Sequence, residues 1–289
     1  MNNSSQLLER NNTTDQQGNA DAGLQAIAGT SVAPKLSRSM QDWIDNRPGK
    51  DWREAAEPLA QWTDDRLVNR SDVYRAYKLP NNRYLGEPIT YTKPFLEEAR
   101  EFGSLTRGIV EGHYRCGDPV ELIGIHAIAF DNTSRWFVIN VDQKDANGAI
   151  LAEANANAAF GWNDDLQLLG FTPLLFDANG AGGYHVLVCL SHEIPSRLVH
   201  EFATDIVQNY GDYGLAQAPE VYPSEPEVNP HRPYGSWWRL PGRHHTREFW
   251  TRVWSGSRWL ENQEAIGAIL ATTGDSPTLI PGFEDSQAD

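Results

Sequence analysis

The stretch FVINVDQKD, residues 137–145, decides how the rest of the chain is read. Side chains two apart on a strand share a face, so Asn140 and Asp142 point the same way while Ile139 and Val141 enter the opposite layer. An apolar strand that carries an amide and an acid on one face delivers polar groups to one end of a sheet. Oxygen ligands held in this way suit Mg²⁺ or Mn²⁺, and two-metal phosphoryl chemistry needs carboxylates shared between ions. The plainer reading is a strand emerging into solvent, with Asp142, Gln143, Lys144 and Asp145 opening a polar loop.

Around this strand the texture is that of an α+β protein. Arg107–Tyr114, Leu122–Phe130 and Arg135–Asp142 are β-branched or apolar runs and predict strands. Ala149–Leu169 places Leu151, Ala154, Ala158, Trp162 and Leu166 at helical spacing, with Gly170 as its stop. Thr172–Phe176 and Tyr184–Leu190 predict a hairpin around a glycine-rich turn. Helices follow at Pro195–Tyr210, where Pro suits a first turn, and at Glu261–Leu270. Upstream, Trp43, Trp52, Leu59 and Trp62 among charges predict short helices over Ser39–Asn69, and Asp72–Tyr77 reads as one more helical piece. The expected organisation is a disordered leader at 1–33, a helical extension at 34–71, a principal domain at 72–273 and an acidic, disordered tail at 274–289.

The 289 residues suffice for one large domain, and no apolar run approaches the roughly 20 residues of a membrane span. No secretory signal is evident, and Cys116 and Cys189 make no disulfide framework, which points to a cytoplasmic protein without a membrane partner. A net charge of −15 is awkward for nucleic-acid binding. The charge is unevenly spread, however: residues 231–259 hold six Arg against the single Glu248, interleaved with seven aromatic side chains.

Two further constellations carry candidate chemistry. In DANGAGGYHVLV, residues 177–188, Asn179, Gly180, Gly182 and Gly183 let backbone amides approach an anion, and His185 on the next strand can donate to a phosphate. Asn-Gly is equally a hairpin signal, and a strand histidine is more often a satisfied core residue. In PEVYPSEP, residues 219–226, and YGSWWRLPGRHHTREFW, residues 234–250, Glu220 precedes a basic and aromatic run. There Arg239, Arg243, His244, His245 and Arg247 alternate with Trp237, Trp238 and Trp250, a mixture suited to phosphate contacts and base stacking. The alternative is that the indoles cap the core and the arginines offset the chain's own acids. Adjacent histidines without paired cysteine spacing argue against zinc.

Taken in order, Asn140-Val141-Asp142, the turn leading to His185, Glu220 and RLPGRHH resemble the archaeo-eukaryotic primase superfamily, most closely the primase domain of TOTE conflict systems, over roughly residues 72–270. The resemblance implies an RRM-like antiparallel or mixed sheet flanked by helices. It also implies catalytic positions at Asn140, Asp142 and Glu220, with Mg²⁺ or Mn²⁺ on Asp142, Glu220 and Asp145. A nucleoside triphosphate would lie on His185, Asn179, Gly180, Gly182 and Gly183, and single-stranded template on Arg239, Arg243, His244, His245, Arg247 and Trp238. Helicase or nuclease partners would act in trans, since the chain lacks a phosphate loop of the GKS/T type.

The departures from that pattern share a direction. Asn140 stands where the superfamily has an acid, Asp177 replaces a hydroxyl, Ala181 replaces an arginine, and Ser224-Glu225 replace basic or amide residues. Asp177 is expected to repel a triphosphate, and the missing guanidinium removes a charge-assisted contact. The resulting expectation is a primase-polymerase-like protein that binds nucleotide and nucleic acid with nucleotidyl transfer reduced or lost. A fully active primase and a metal-dependent nuclease are the alternatives.

Overall fold

The strand that carries Asn140 is enclosed on every side. In the computed structural model, which describes residues 48–76, 104–116 and 121–284, β3 (Thr133–Val141) is hydrogen-bonded on both edges. Its neighbours are β5 (Tyr184–Pro195) and β6 (Glu220–Tyr222). The sheet continues through β4 (Leu174–Asp177), β8 (Arg252–Trp254) and β9 (Trp259–Leu260) in the order β6-β3-β5-β4-β8-β9, every pair antiparallel. The described residues belong to a unit running from Asp42 to Asp289, and the leader expected at 1–33 lies outside them.

Alternation along β3 divides two cores. Phe137, Ile139 and Val141 join Leu175, Val186 and Val188 beneath α4 (Ala152–Leu168) and α5 (Ser196–Ile206), with Trp162 and Val199 fully buried among them. Trp136, Val138, Phe176 and Leu187 face the other way. They pack against a second antiparallel sheet ordered β1-β2-β7, formed by Arg75–Ala76, Ile123–His126 and Trp237–Arg239. The same core takes in α1 (Lys50–Glu54), α2 (Ala56–Arg66), α3 (Arg107–Arg115) and α6 (Asn262–Leu270) through Trp52, Leu59, Val110 and Ile266. Burial of both faces explains why 136–139 is a continuous apolar run. The fold is α+β, two antiparallel sheets flanked by helices, with the helices of the N-terminal extension built into the sheet's core.

Local chemistry accounts for the element ends. After α4, Gly170 at φ 95° lets its own N–H reach Gln167 O (3.0 Å) and Phe171 N–H reach Leu166 O (3.0 Å), closing the helix with a paired cap. Arg107–Arg115 is a helix, not the strand expected from its β-branched residues. Val110, His113 and Tyr114 bury one helical face, and the Thr106 hydroxyl caps the start by accepting from Ile109 N–H (3.4 Å). Asp72–Tyr77 was expected to be helical, but Arg75 and Ala76 pair with Gly124 and Ile123 of β2. A single turn nucleates poorly alone, whereas a waiting sheet edge satisfies its backbone at once. Residues 274–284, part of the tail expected to be disordered, are built onto the domain. Asp275 bridges to β5, its carboxylate accepts from Thr172 N–H (2.9 Å), and Ile280 is buried.

His113 joins α3 to both ends of this core. Its Nδ1 accepts from Ile123 N–H (3.0 Å), leaving Nε2–H to donate to Pro241 O (3.0 Å). Burial, reinforced by the nearby Arg239 charge, lowers its pKa from 6.5 to about 4. The unfolded chain therefore takes up this proton at a higher pH than the folded one. The stability it supports is complete above pH 6.5 and disappears as pH falls through about 4, a contribution of about 3 kcal/mol. Thermal melts should show Tm dropping between pH 6.5 and 4, with a shallower drop in His113→Gln; a flat profile in the native protein would contradict this.

Candidate functional site

The antiparallel register aligns three polar side chains. Asn140 is the direct partner of His185 on β5 and of Glu220 on β6, so Glu220, Asn140 and His185 form one row on one face of the sheet. The row beneath it is Tyr222, Val138 and Leu187. Asp142 lies just past the end of β3 and is exposed. All four polar residues line a cavity of about 550 Å³. Its opposite walls come from the turn after β4, from residues 231–239 and from His244 and His245.

The glycine-rich turn is organised by its own side chains. Asp177 Oδ1 accepts from Asn179 N–H (3.2 Å) and Gly180 N–H (2.7 Å), while Asn179 Oδ1 accepts from Ala181 N–H (2.8 Å) and Gly183 N–H (3.0 Å). These four amides therefore point into the turn and not at an external anion. Asn179 and Gly183 line the cavity, whereas Gly180 packs on Phe249 and Gly182 on Ala152. Gly183 leaves no room for a side chain, since a Cβ would stand 2.1 Å from Asn179 Nδ2. Asp177 was expected to repel a triphosphate. It is instead 4% exposed and paired with Arg252, so its charge is neutralised inside the turn. Arg247 donates to Asn179 O (2.9 Å), fastening the basic segment to the turn from outside the cavity lining.

Trp238 does not serve as a surface for stacking. It is 2% exposed, wedged between Trp136 and Phe176 at centroid distances of 5.8 and 6.3 Å. Its Nε1–H donates to His185 Nδ1 (3.1 Å), which places the imidazole proton on Nε2. Burial first, then Arg239 and His244, hold His185 well below its ordinary pKa, so it is a neutral donor at pH 7. His244 Nδ1 accepts from Thr246 N–H (3.1 Å), fixing the same tautomer. Burial and Arg239 lower His244 to about 3 and His245 to about 4.

Arg239, buried at the cavity wall, donates to the carbonyls of Ala178 (3.0 Å) and Arg243 (3.4 Å). This end of the cavity combines one guanidinium with three neutral imidazoles, a setting that favours an anion. Arg243 itself bridges to Trp250 and stays out of the lining.

The acid end is sparser. Glu220 Oε2 accepts from Tyr222 O–H (2.7 Å), and Asp142 stands at the rim. Asp145 does not join them: its carboxylate accepts from Asn147 N–H (2.8 Å) and Ala149 N–H (2.8 Å), which caps its own turn and lowers its pKa. Among the described residues no three His, Cys, Asp or Glu side chains are placed to hold a metal ion. Two carboxylates and an amide carry too little negative charge for a pair of Mg²⁺ or Mn²⁺ ions, so the donor set does not fit a two-ion centre.

Three lining residues that the sequence reading did not single out are Arg75, Tyr222 and Arg232. Only Tyr222 left a signal, as the residue two beyond Glu220 on one strand.

No protein-family model matches the sequence, and no curated protein does. Among solved structures, the chain is similar to the polymerase domain from Mycobacterium tuberculosis Ligase D in complex with DNA. The two are 13% identical with a TM-score of 0.45, over 78% of this chain and 90% of that one. No helix among the described residues is long and apolar enough to cross a membrane.

The Trp238 contact yields a direct test. In ¹⁵N-histidine-labelled protein near pH 7, His185 should give the Nε2–H signature, and Trp238→Phe, which keeps the ring but removes the donor, should shift it toward a tautomeric mixture. An unchanged signal in the variant would show that the indole does not set the tautomer.

Proposed function

We propose that this chain is a primase-polymerase-like domain of the archaeo-eukaryotic type. Its cavity binds a nucleoside triphosphate and single-stranded nucleic acid, with metal-dependent nucleotidyl transfer reduced or lost. The observation that carries the reading is the register of the row: Asn140 stands directly between Glu220 and His185. An acid at that position would face the cavity beside two other carboxylates, Asp142 and Glu220, and complete a centre able to hold divalent ions. The amide keeps the shape and removes the charge. The motifs on either side, NGAGGYH and RLPGRHH, support the same superfamily and, within it, the TOTE-type primase domain.

Within this reading each group has a task. His185, held by Trp238, presents Nε2–H to a phosphate oxygen. Arg239 supplies the fixed positive charge of that pole, and His244 and His245 extend it as neutral donors. Glu220, tethered by Tyr222, and Asp142 close the other end. When bound, divalent ions supply activation of the attacking hydroxyl and charge neutralisation at the phosphate. The native donor set is short of that requirement, so no chemical step is assigned to it. Unwinding of a duplex would fall to a helicase or nuclease partner acting in trans.

The test is binding of labelled triphosphate with Mn²⁺, with primer formation on single-stranded template followed in the same reactions. Native protein should bind, His185→Ala should bind about tenfold more weakly, as loss of a hydrogen bond to a charged group implies, and Asn140→Asp should create or raise incorporation. Full-rate primer synthesis by the native protein would overturn the loss of transfer and leave an active primase. Shortening of labelled DNA without added triphosphate would identify a nuclease instead. Absence of any nucleotide binding would refute the reading altogether.

A further inference from the structure

The backbone ladder of β3 ends just before Asp142. Its last pairs are Val141 with Tyr184 on one edge and Asn140 with Glu220 on the other. Asp142 follows, exposed at the cavity rim, and Gln143 comes next. Past these rungs two side-chain amides take over the bonding. Asn155, fully buried near the start of α4, pairs reciprocally with the Gln143 backbone: its Oδ1 accepts from Gln143 N–H (3.1 Å) and its Nδ2 donates to Gln143 O (3.1 Å). Nδ2 also donates to Gly182 O (2.9 Å) in the glycine-rich turn, three residues before His185. Gln143 repeats the pattern toward the other edge. Its Oε1 accepts from Ala216 N–H (3.2 Å) and its Nε2 donates to Gln217 O, three residues before Glu220.

A neighbouring strand offers its partner an N–H and a C=O, and a primary amide offers the same two groups from a side chain. Asn155 and Gln143 thus add a rung on each side of the strand exit. Loop closure does not require them, because the loop after Gln143 is closed by its own backbone: Leu151 N–H donates to Gln143 O (3.0 Å) and Asp145 N–H to Ala149 O (2.8 Å). Neither amide lines the cavity. The segments they join are the three that carry the candidate chemistry: the exit of β3 with Asp142, the turn leading to His185, and the approach to Glu220. We propose that Gln143 and Asn155 are positioning residues, Gln143 fixing Asp142 against Glu220 and Asn155 fixing Asp142 against the turn. The assignment rests on the reading of the polar row given above. It also separates the two residues, since loss of the Gln143 side chain leaves the bonds of Asn155 to the Gln143 backbone and to Gly182 in place.

The test uses Mn²⁺ as probe, titrated through its EPR signal into Asn140→Asp, where the row has its third carboxylate. Adding Gln143→Met, which keeps the length and removes the amide, should weaken Mn²⁺ binding about tenfold, the scale of one or two lost hydrogen bonds. Melting temperature and binding of triphosphate without metal should stay unchanged. Adding Asn155→Ala instead should weaken both Mn²⁺ and triphosphate, because it also releases the turn; if that variant does not fold, Gln143→Met decides alone. Equal Mn²⁺ affinity with and without Gln143→Met would overturn the positioning role while leaving the row as a metal site. So would a loss accompanied by equal falls in triphosphate binding and melting temperature, which marks general destabilisation. Failure of Asn140→Asp itself to bind Mn²⁺ would overturn the row as a metal site and this assignment with it.

Discussion

The register of β3 is the constraint on which everything else rests. The strand is bonded along both edges and packed on both faces, so it cannot slide by one residue without exchanging Asn140 for Ile139 or Val141. Such a slip would drive an amide into the apolar layer under α4 and bring a branched hydrocarbon to the cavity. The two cores therefore fix the polar row as firmly as any contact within it. Glu220 and His185 inherit their positions from the same ladder, one from each neighbouring strand.

Electrostatics within the cavity run against the sign of the whole molecule. The chain carries −15, yet the wall built from β5, β7 and the segment after it gathers Arg239 with three imidazoles kept neutral by burial. The one acid in the neighbouring turn, Asp177, is turned inward and matched by Arg252. A local field of this kind is invisible in a net charge, because buried groups close to a ligand act through little solvent while surface carboxylates are screened.

Much of the architecture was legible because it is written in short-range patterns. The apolar run at 136–139, the helical spacing before Gly170 and the hairpin around Asn-Gly each specify an element without help from distant residues. What failed depended on tertiary context. Residues 107–115 carry β-branched side chains yet bury a helical face, and Arg75–Ala76 is a strand only because β2 offers an edge. The tail after Thr273 is polar in composition but docks through Asp275 and Ile280. In the site, side-chain directions were not legible: Asp177 and Asp145 turn their carboxylates onto their own backbones, and a one-residue alternation buries Trp238 while leaving Trp237 partly exposed.

That Trp237–Trp238 pair has a consequence for how the protein can change. Trp238 belongs at once to the hydrophobic layer and to the imidazole beside the polar row, so any replacement there disturbs two properties together. Trp237, one peptide unit away, touches the cavity from the other side of the sheet. A change at 237 would thus alter the cavity wall alone, whereas 238 is held in place by the rest of the molecule, so neighbouring copies of one amino acid differ in how much of the structure each answers to.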